Sequence, residues 1–378
     1  MRICLVGPAH PYRGGISHFT AMLARETRTS HDVLVVNFSR LYPSLLFPGK
    51  TQFDAGASAL AVESQRLVDS LNPLSWRRAA EAVCGFRPDV VVFQWWQPFF
   101  APAFRAMCSH IRRRSDARIV FLCHNVLPHE SSPVDRVLVK WALSGAHAFV
   151  VQSREDGRVL SALRPGAVVE FNPMPVFDLF AGAGVVPDPA EARAALGVNG
   201  PVILFFGLVR AYKGLRTLLE AFALAKDSLD ATLLVVGEFY EDRKGYDAAI
   251  RALGIGERVR VIDRYVPDDE VALYFRAADV VVLPYLSATQ SAIVQTAFSF
   301  ERPVIVTAVG GLPDVVVDGV TGYVVAPQSA NDLAAAMVRF FREDAGARMS
   351  AAIRARAGEF AWSRCLDAVL RAARRQNA

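Results

Sequence analysis

Lysine is scarce in this sequence. Of 42 basic residues only five are lysine, so each one stands against a strong preference for arginine. Long apolar runs are missing as well, since none approaches the roughly 18–20 residues of a membrane-spanning helix. The chain enters a strand-like run at Arg2 with no signal-peptide pattern, so the expected location is the cytoplasm, or a peripheral position at the inner face of the membrane. Five cysteines, Cys4, Cys84, Cys108, Cys123 and Cys365, are scattered without metal-ligand spacing and point to a reducing compartment. No G-x-G-x-x-G follows either predicted first strand, which argues against an NAD-type dinucleotide site. There is no Asp-x-Asp, and no metal or cofactor is expected. Beyond Arg112-Arg113-Arg114 there is no basic stripe and no recognisable module, so a nucleic-acid partner is not expected.

What is present fits a globular α/β protein. The length of 378 residues suits two domains, and 52% hydrophobic with 21% charged residues is ordinary for that class. A net charge of +5 fits phosphate-bearing ligands or an anionic membrane surface without choosing between them.

The chain is organised around residues 277–327. A buried strand, Val280–Leu283, ends at Pro284. A polar loop, Ser287-Ala288-Thr289-Gln290-Ser291, leads into a helix over 292–300. A second strand over 303–307 and a Gly310-Gly311 turn follow, then a return to a third strand. Small loop residues running straight into a helix leave backbone N–H groups unpaired with the helix dipole behind them, which suits an anion. Parallel strands ending at the same rim make the usual ligand edge of an open α/β sheet. An ordinary βαβ turn remains the other reading of these residues.

Along the first half, strands are predicted over 2–7, 32–38, 88–94, 118–123, 148–151 and 168–171, with helices over 16–28, 74–84, 103–114 and 135–144 between them. Gly14 and Gly15 close the first loop, where they allow either a close ligand approach or a tight turn. The irregular segment 41–50 either covers a cleft, touches a membrane or packs as a surface loop. Trp95-Trp96-Gln97-Pro98-Phe99-Phe100 ends a strand, where aromatics stack on sugars, hold a lipid tail or pack the core. His124 stands at a strand's C-terminal end, either as a structural histidine or as a site residue. Ser153 is a good N-cap.

The Gly- and Pro-rich stretch 172–190 reads as a linker. The pattern then restarts, with strands over 201–206, 231–236 and 259–262 and a helix over 215–225. Arg210 and Lys213 put two cations at a sheet rim just before that helix, either for phosphate oxygens or as a solvated charge pair. Asp268 looks like the cap of the helix after it. Helices over 331–342, 345–357 and 362–374 end the chain.

Residues 205–327 resemble the donor-binding half of the retaining glycosyltransferases of family 4. The resemblance rests on Arg210 and Lys213, the strand ending in Pro284, Pro303-Val304-Ile305, Gly310-Gly311-Leu312-Pro313-Asp314 and Asp318-Gly319…Gly322. It extends more weakly over 1–170. It implies the GT-B fold, an α/β architecture of two Rossmann-like, doubly wound parallel-sheet domains facing across a cleft. The domains implied are 1–171 for the acceptor and 191–360 for the nucleotide sugar, with a C-terminal helix, 361–378, crossing back to the first.

The activity implied is sugar transfer from a nucleoside diphosphate sugar, UDP- or GDP-linked, to an acceptor hydroxyl, without a metal. The acceptor would be a sugar, a lipid-linked molecule or a small molecule. By the same resemblance Arg210 and Lys213 take the diphosphate. The backbone of Ser291, Ala292, Ile293 and Val294 holds its phosphates. Tyr265 and Val266 lie along the base, and His124 with Gly14 and Gly15 shapes the sugar and acceptor side.

One departure stands out. The family's two glutamates, which contact the donor sugar and the ribose, fall on Ser287 and Gln295 here. Gln295 can still hydrogen-bond a ribose, whereas Ser287 cannot supply a carboxylate. Three explanations follow: Thr289, Gln290 or Glu238 reads the sugar, a substrate phosphate is the base, or the protein binds without catalysing. An epimerase of the same fold is a further alternative.

Overall fold

The computed structural model describes residues 1–43, 51–53, 61–128, 132–178 and 186–375. Most of the irregular segment 41–50 lies outside these residues, as does the middle of the expected linker. The chain divides into two compact units, Met1–Pro175 with Phe360–Ala378, and Val176–Glu359.

The first unit is built on a seven-stranded sheet whose paired strands are all parallel. In chain order the strands are β1 (Arg2–Val6), β2 (Asp32–Arg40), β3 (Gln65–Asp69), β4 (Val90–Trp95), β5 (Arg118–Cys123), β6 (Ala148–Val151) and β7 (Val168–Phe171). Their spatial order is β3-β2-β1-β4-β5-β6-β7. The inner strands are apolar runs such as VVVFQW because helices cover both faces of a parallel sheet. Strand β3 was not foreseen from the sequence. Its residues, QRLVD, are largely polar, as suits an edge strand with few buried positions.

The connections are α1 (Gly15–Arg28), α2 (Pro73–Phe86), α3 (Ala101–Arg114), α4 (Pro133–Leu143) and α5 (Arg154–Leu163). Chain order reverses between β1 and β4, so right-handed crossovers put α1 on one face and α2, α3 and α4 on the other. The ends of α2, α4 and α5 are fixed locally. Asn72 accepts from Leu74 N, Ser132 and Asp135 form a reciprocal cap, and Ser153 accepts from Asp156 N. Trp95, Trp96 and Phe100 are buried against Phe38 and Phe104. Of the aromatic run, only Phe99 keeps partial exposure, so most of it is core.

The second unit has a six-stranded parallel sheet ordered β10-β9-β8-β11-β12-β13. Its strands are β8 (Val202–Phe206), β9 (Thr232–Val236), β10 (Val259–Ile262), β11 (Val280–Leu283), β12 (Val304–Thr307) and β13 (Gly322–Val325). The helices are α6 (Pro189–Leu196), α7 (Leu215–Ala225), α8 (Arg243–Ala252), α9 (Val271–Ala277), α10 (Ala292–Ser299), α11 (Leu312–Val315), α12 (Ala330–Arg342) and α13 (Ala345–Arg356). Asp268 is not the cap of α9. It opens a 3-10 turn, Asp268–Glu270, and Glu270 takes the cap position without a side-chain bond. The proline before the turn starts the tightening one turn early.

The last helix, α14 (Trp362–Arg374), belongs to the first unit. Arg118 donates to the carbonyls of Ala373 (3.0 Å) and Arg375 (2.8 Å), and Arg375 pairs with Glu170 at 2.7 Å. Trp362 meets Phe19 of α1 edge-on. Among the described residues no helix is long and apolar enough to cross a membrane.

Candidate functional site

In the second unit the order of strands reverses between β8 and β11, so the loops after these two strands open from one rim. Gly207 ends β8 with φ +108, and a Cβ there would lie 3.2 Å from Lys213 Nζ and 3.6 Å from Ile293 Cδ1. The Lys213 ammonium, the Gly207 backbone and the first turn of α10 therefore border one small space. A side chain on residue 207 would fill it.

Lys213 is held there from several sides. Its Nζ lies 5.1 Å from the Tyr285 ring centroid. Tyr285 Oη and Ser291 Oγ are 3.3 Å apart, and Thr307 donates to the Tyr285 carbonyl at 2.6 Å. Burial holds the Tyr285 phenol up at about 12, so the ring stays neutral under the cation. Burial also pulls the lysine below its usual range, with the Arg210 charge acting in the same direction. Among the described residues no carboxylate pairs with Lys213 or Arg210. Arg210 stacks on Tyr240, with its guanidinium carbon 4.8 Å from the ring centroid. Two cations thus stand at one rim without a paired carboxylate among the described residues, although Glu241 accepts from Ala211 N beside them.

The loops are pinned backbone to backbone. Leu286 N donates to Tyr212 O at 2.7 Å, and Gly311 N donates to Thr289 O at 2.9 Å. A Cβ on Gly310 would fall 1.6 Å from Ala288 O, so only glycine lets the 310 turn close on the 288 loop. Helix α10 starts after Ser291 with no side-chain cap, and among the described residues no side chain accepts from its first N–H groups. Ser287, Thr289 and Gln290 are partly exposed in the loop before it. Gln295 is buried, and its Oε1 has no hydrogen-bond partner among the described residues. Glu238 is buried just beyond Gly237, Val266 is buried, and Tyr265 is partly exposed after β10.

The first unit carries the remaining candidates. Gly14 adopts φ +110 in the cap position of α1 with open space where a Cβ would stand, and Gly15 opens the helix. His124 follows β5 and is buried. With Gln94 Oε1 as acceptor its Nε2 donates at 2.7 Å, and its ring meets Phe19 edge-on at 4.7 Å. Burial drives its pKa down to about 3, opposed by a hydrogen bond with Gln152. The imidazole is thus neutral at physiological pH. Gln94 itself packs against Gly7, where a Cβ would come within 2.5 Å of its Cγ.

Sequence reasoning passed over Gln94, Gln152, Asp156 and Tyr285. Gln94 left a signal, as the one polar residue inside VVVFQW. Asp156 accepts from Val126 N at 3.0 Å and so fixes the loop after His124, and its pKa is raised to about 6 by burial. No sequence spacing joins residues 124, 126 and 156.

Two family models divide the chain between them. One, described as "Glycosyl transferase 4-like domain", matches residues 14–173, and another, "Glycosyl transferases group 1", matches residues 200–343. The chain belongs to this glycosyltransferase family. Curated relatives include a D-inositol 3-phosphate glycosyltransferase of Frankia alni, 34% identical over 199 residues, covering 50% of this chain and 49% of that protein. Another, from Mycobacterium bovis, is 30% identical over 256 residues, covering 64% and 52%. The chain thus spans about half the length of the curated relatives it matches. The fold of this chain is GT-B. Anabaena HepE in complex with UDP superposes with a TM-score of 0.74 at 18% identity, covering 98% of this chain and 99% of the other. Sucrose-phosphate synthase from Thermosynechococcus elongatus gives 0.71 at 18% identity, covering 98% and 97%.

Proposed function

We propose that this glycosyltransferase moves a sugar from a nucleoside diphosphate sugar to an acceptor hydroxyl, with retention of configuration and without a metal. The observation that carries the reading is the half-buried Lys213 ammonium, which pairs with no carboxylate among the described residues and borders both Gly207 and the start of α10. A diphosphate supplies an anion for both cations. Lys213 and Arg210 neutralise it as it leaves, and the N–H groups of Ser291, Ala292, Ile293 and Val294 bind its oxygens. Gln295 offers its unpartnered Oε1 to a ribose hydroxyl. Tyr265 and Val266 flank the base, and Thr289, Gln290 and Glu238 read the donor sugar in place of the carboxylate that Ser287 lacks. Anabaena HepE was solved in complex with UDP, which favours UDP over GDP as the first nucleotide to try.

With a neutral His124 and no carboxylate at position 287, the departing phosphate is the base in this reading. The acceptor O–H proton passes to a phosphate oxygen as the C1–O(phosphate) bond breaks and the acceptor oxygen bonds to C1 on the same face. His124, Gly14 and Gly15 shape the acceptor side. The reaction then belongs to polysaccharide, glycolipid or glycoside synthesis in the cytoplasm, with a sugar, lipid-linked or small-molecule acceptor and contact with the inner membrane face.

A thermal-shift panel of UDP, GDP, ADP, TDP and CMP, with and without Mg²⁺, tests this. One diphosphate raises the melting temperature of the wild type by mass action, Mg²⁺ adds nothing, and Arg210→Ala abolishes the shift. Silence across the whole panel refutes the reading in favour of a non-catalytic protein of the same fold. Turnover of a nucleotide sugar without acceptor and without nucleotide release identifies an epimerase instead.

A further inference from the structure

The positive charge of the chain is unevenly spread. Helices α2, α3 and α4 together hold eight arginines and lysines against two carboxylates, six positive charges net, while the whole chain has +5. Helix α3 packs against both α2 and α4, so the three form one layer on a single face of the first sheet. Several of these charges crowd together. His110 of α3 lies below its usual pKa through burial and then through Arg114, Arg77 and Arg113 around it. Glu81, one of the two carboxylates, is already paired with Arg77.

The same layer gathers exposed apolar side chains. Nine large hydrophobic residues are exposed among the described residues, and five of them, Leu71, Leu74, Val134, Val137 and Trp141, lie on α4 or at the start of α2. Val134, Val137 and Trp141 are spaced as i, i+3 and i+7, which aligns them on one side of α4. They are 65%, 69% and 46% exposed. Arg136 and Lys140, both exposed, flank that stripe. Helices α2 and α4 each leave the C-terminal edge of the sheet, so Leu74 and Val134 stand near the edge that also carries the loop after His124.

We propose that the outer face of α2, α3 and α4 docks on an anionic lipid bilayer, with Val134, Val137 and Trp141 entering the headgroup layer. Basic side chains beside a tryptophan and aliphatic residues suit a helix lying in the membrane interface. The arginines pair with lipid phosphates and draw the protein to a negative surface. A nucleic acid would use the arginines but would gain little from Val134 or Val137, and a second copy of the chain would meet the same positive charge. The proposal deepens the membrane contact of the preceding reading, and it stands or falls separately from sugar transfer.

Flotation of the full chain tests it, using vesicles of phosphatidylcholine alone and with about a third phosphatidylglycerol. The wild type floats with the anionic vesicles only and dissociates as salt is raised. Arg136→Gln with Lys140→Gln lowers the partition coefficient about 25-fold, at about fivefold per charge. Val137→Asp with Trp141→Ser lowers it about tenfold or more. Both pairs keep the wild-type melting temperature and nucleotide shift, because these side chains are exposed. The proposal is overturned if the wild type ignores anionic vesicles at low salt, or if the Val137/Trp141 pair floats like the wild type. It is equally overturned if that pair converts a dimer to a monomer, or if heparin binds as tightly as the vesicles and the pair changes neither. A nucleotide shift retained by a protein that does not float would sink the docking surface and leave the transferase reading intact.

Discussion

Replacing Lys213 by methionine keeps the side-chain length and removes the charge. Two effects oppose each other in the free protein. The ammonium gains about 1 kcal/mol over the Tyr285 ring at 5.1 Å. Its partial desolvation beside Arg210, with no paired carboxylate among the described residues to compensate, works against that gain, by less than the several kcal/mol of a fully buried ion because the side chain is half-buried. With the two opposed, Lys213→Met unfolds within about 1 kcal/mol of the wild type. The bound state is different. An ammonium–phosphate hydrogen bond contributes about 1.5–3 kcal/mol, so the variant binds UDP about 10–150-fold more weakly. Chemical denaturation without ligand and calorimetric titration with UDP measure the two quantities separately. A variant that is 2 kcal/mol less stable yet binds UDP within threefold of the wild type would mean that Lys213 serves the fold. The pH dependence has a definite sign. The lysine's folded pKa lies below its unfolded one, so between the two the unfolded chain holds more protons and stability rises with pH. A bound diphosphate favours the charged form, so UDP affinity falls as pH climbs through the free protein's lysine pKa.

Gln295→Leu removes the proposed ribose contact and weakens UDP about tenfold, whereas 2′,3′-dideoxy-UDP binds both forms alike; equal losses for both nucleotides would place the amide elsewhere. Gly310→Ala drives a Cβ into the Ala288 carbonyl at φ +53, so it loses about 3 kcal/mol or more in urea denaturation, and an unchanged midpoint would contradict the loop geometry. Asp156 has a folded pKa of about 6 against an ordinary 3.8, so its protonated form is favoured on folding and its contribution to stability is lost as pH rises through that window. At about 1.4 kcal/mol per pKa unit the window spans about 3 kcal/mol. Asp156→Asn keeps the acceptor for Val126 N and flattens that part of the stability–pH curve, and a curve parallel to the wild type would refute the assignment.

Much of this protein was decided by local sequence. Among the described residues, the sequence marked every strand but one, most of them as apolar runs bounded by turns, because a strand covered on both faces is apolar along its length. The exception, β3, lies at an edge and lacks that signature. The loop into α10 and the Arg210–Lys213 pair were legible for a similar reason: helix starts and glycine turns are written in neighbouring residues. Asp268 shows the limit of such reading, since a good capping residue lost its place to a 3-10 turn.

Tertiary structure alone decided what each candidate could do. The neutrality of His124 comes from burial, with Phe19 edge-on to its ring, and its orientation from Gln94 thirty residues earlier; neither is visible from its own neighbours. Lys213 meets Tyr285 and Ile293 only because β8 and β11 lie side by side, although they are far apart in sequence. Likewise the charge of α2, α3 and α4 becomes one surface only when the three helices share a face of the sheet. Periodicity and turn chemistry are short-range and set the elements, while electrostatics and burial depend on distances in space, which the chain acquires only when those elements pack.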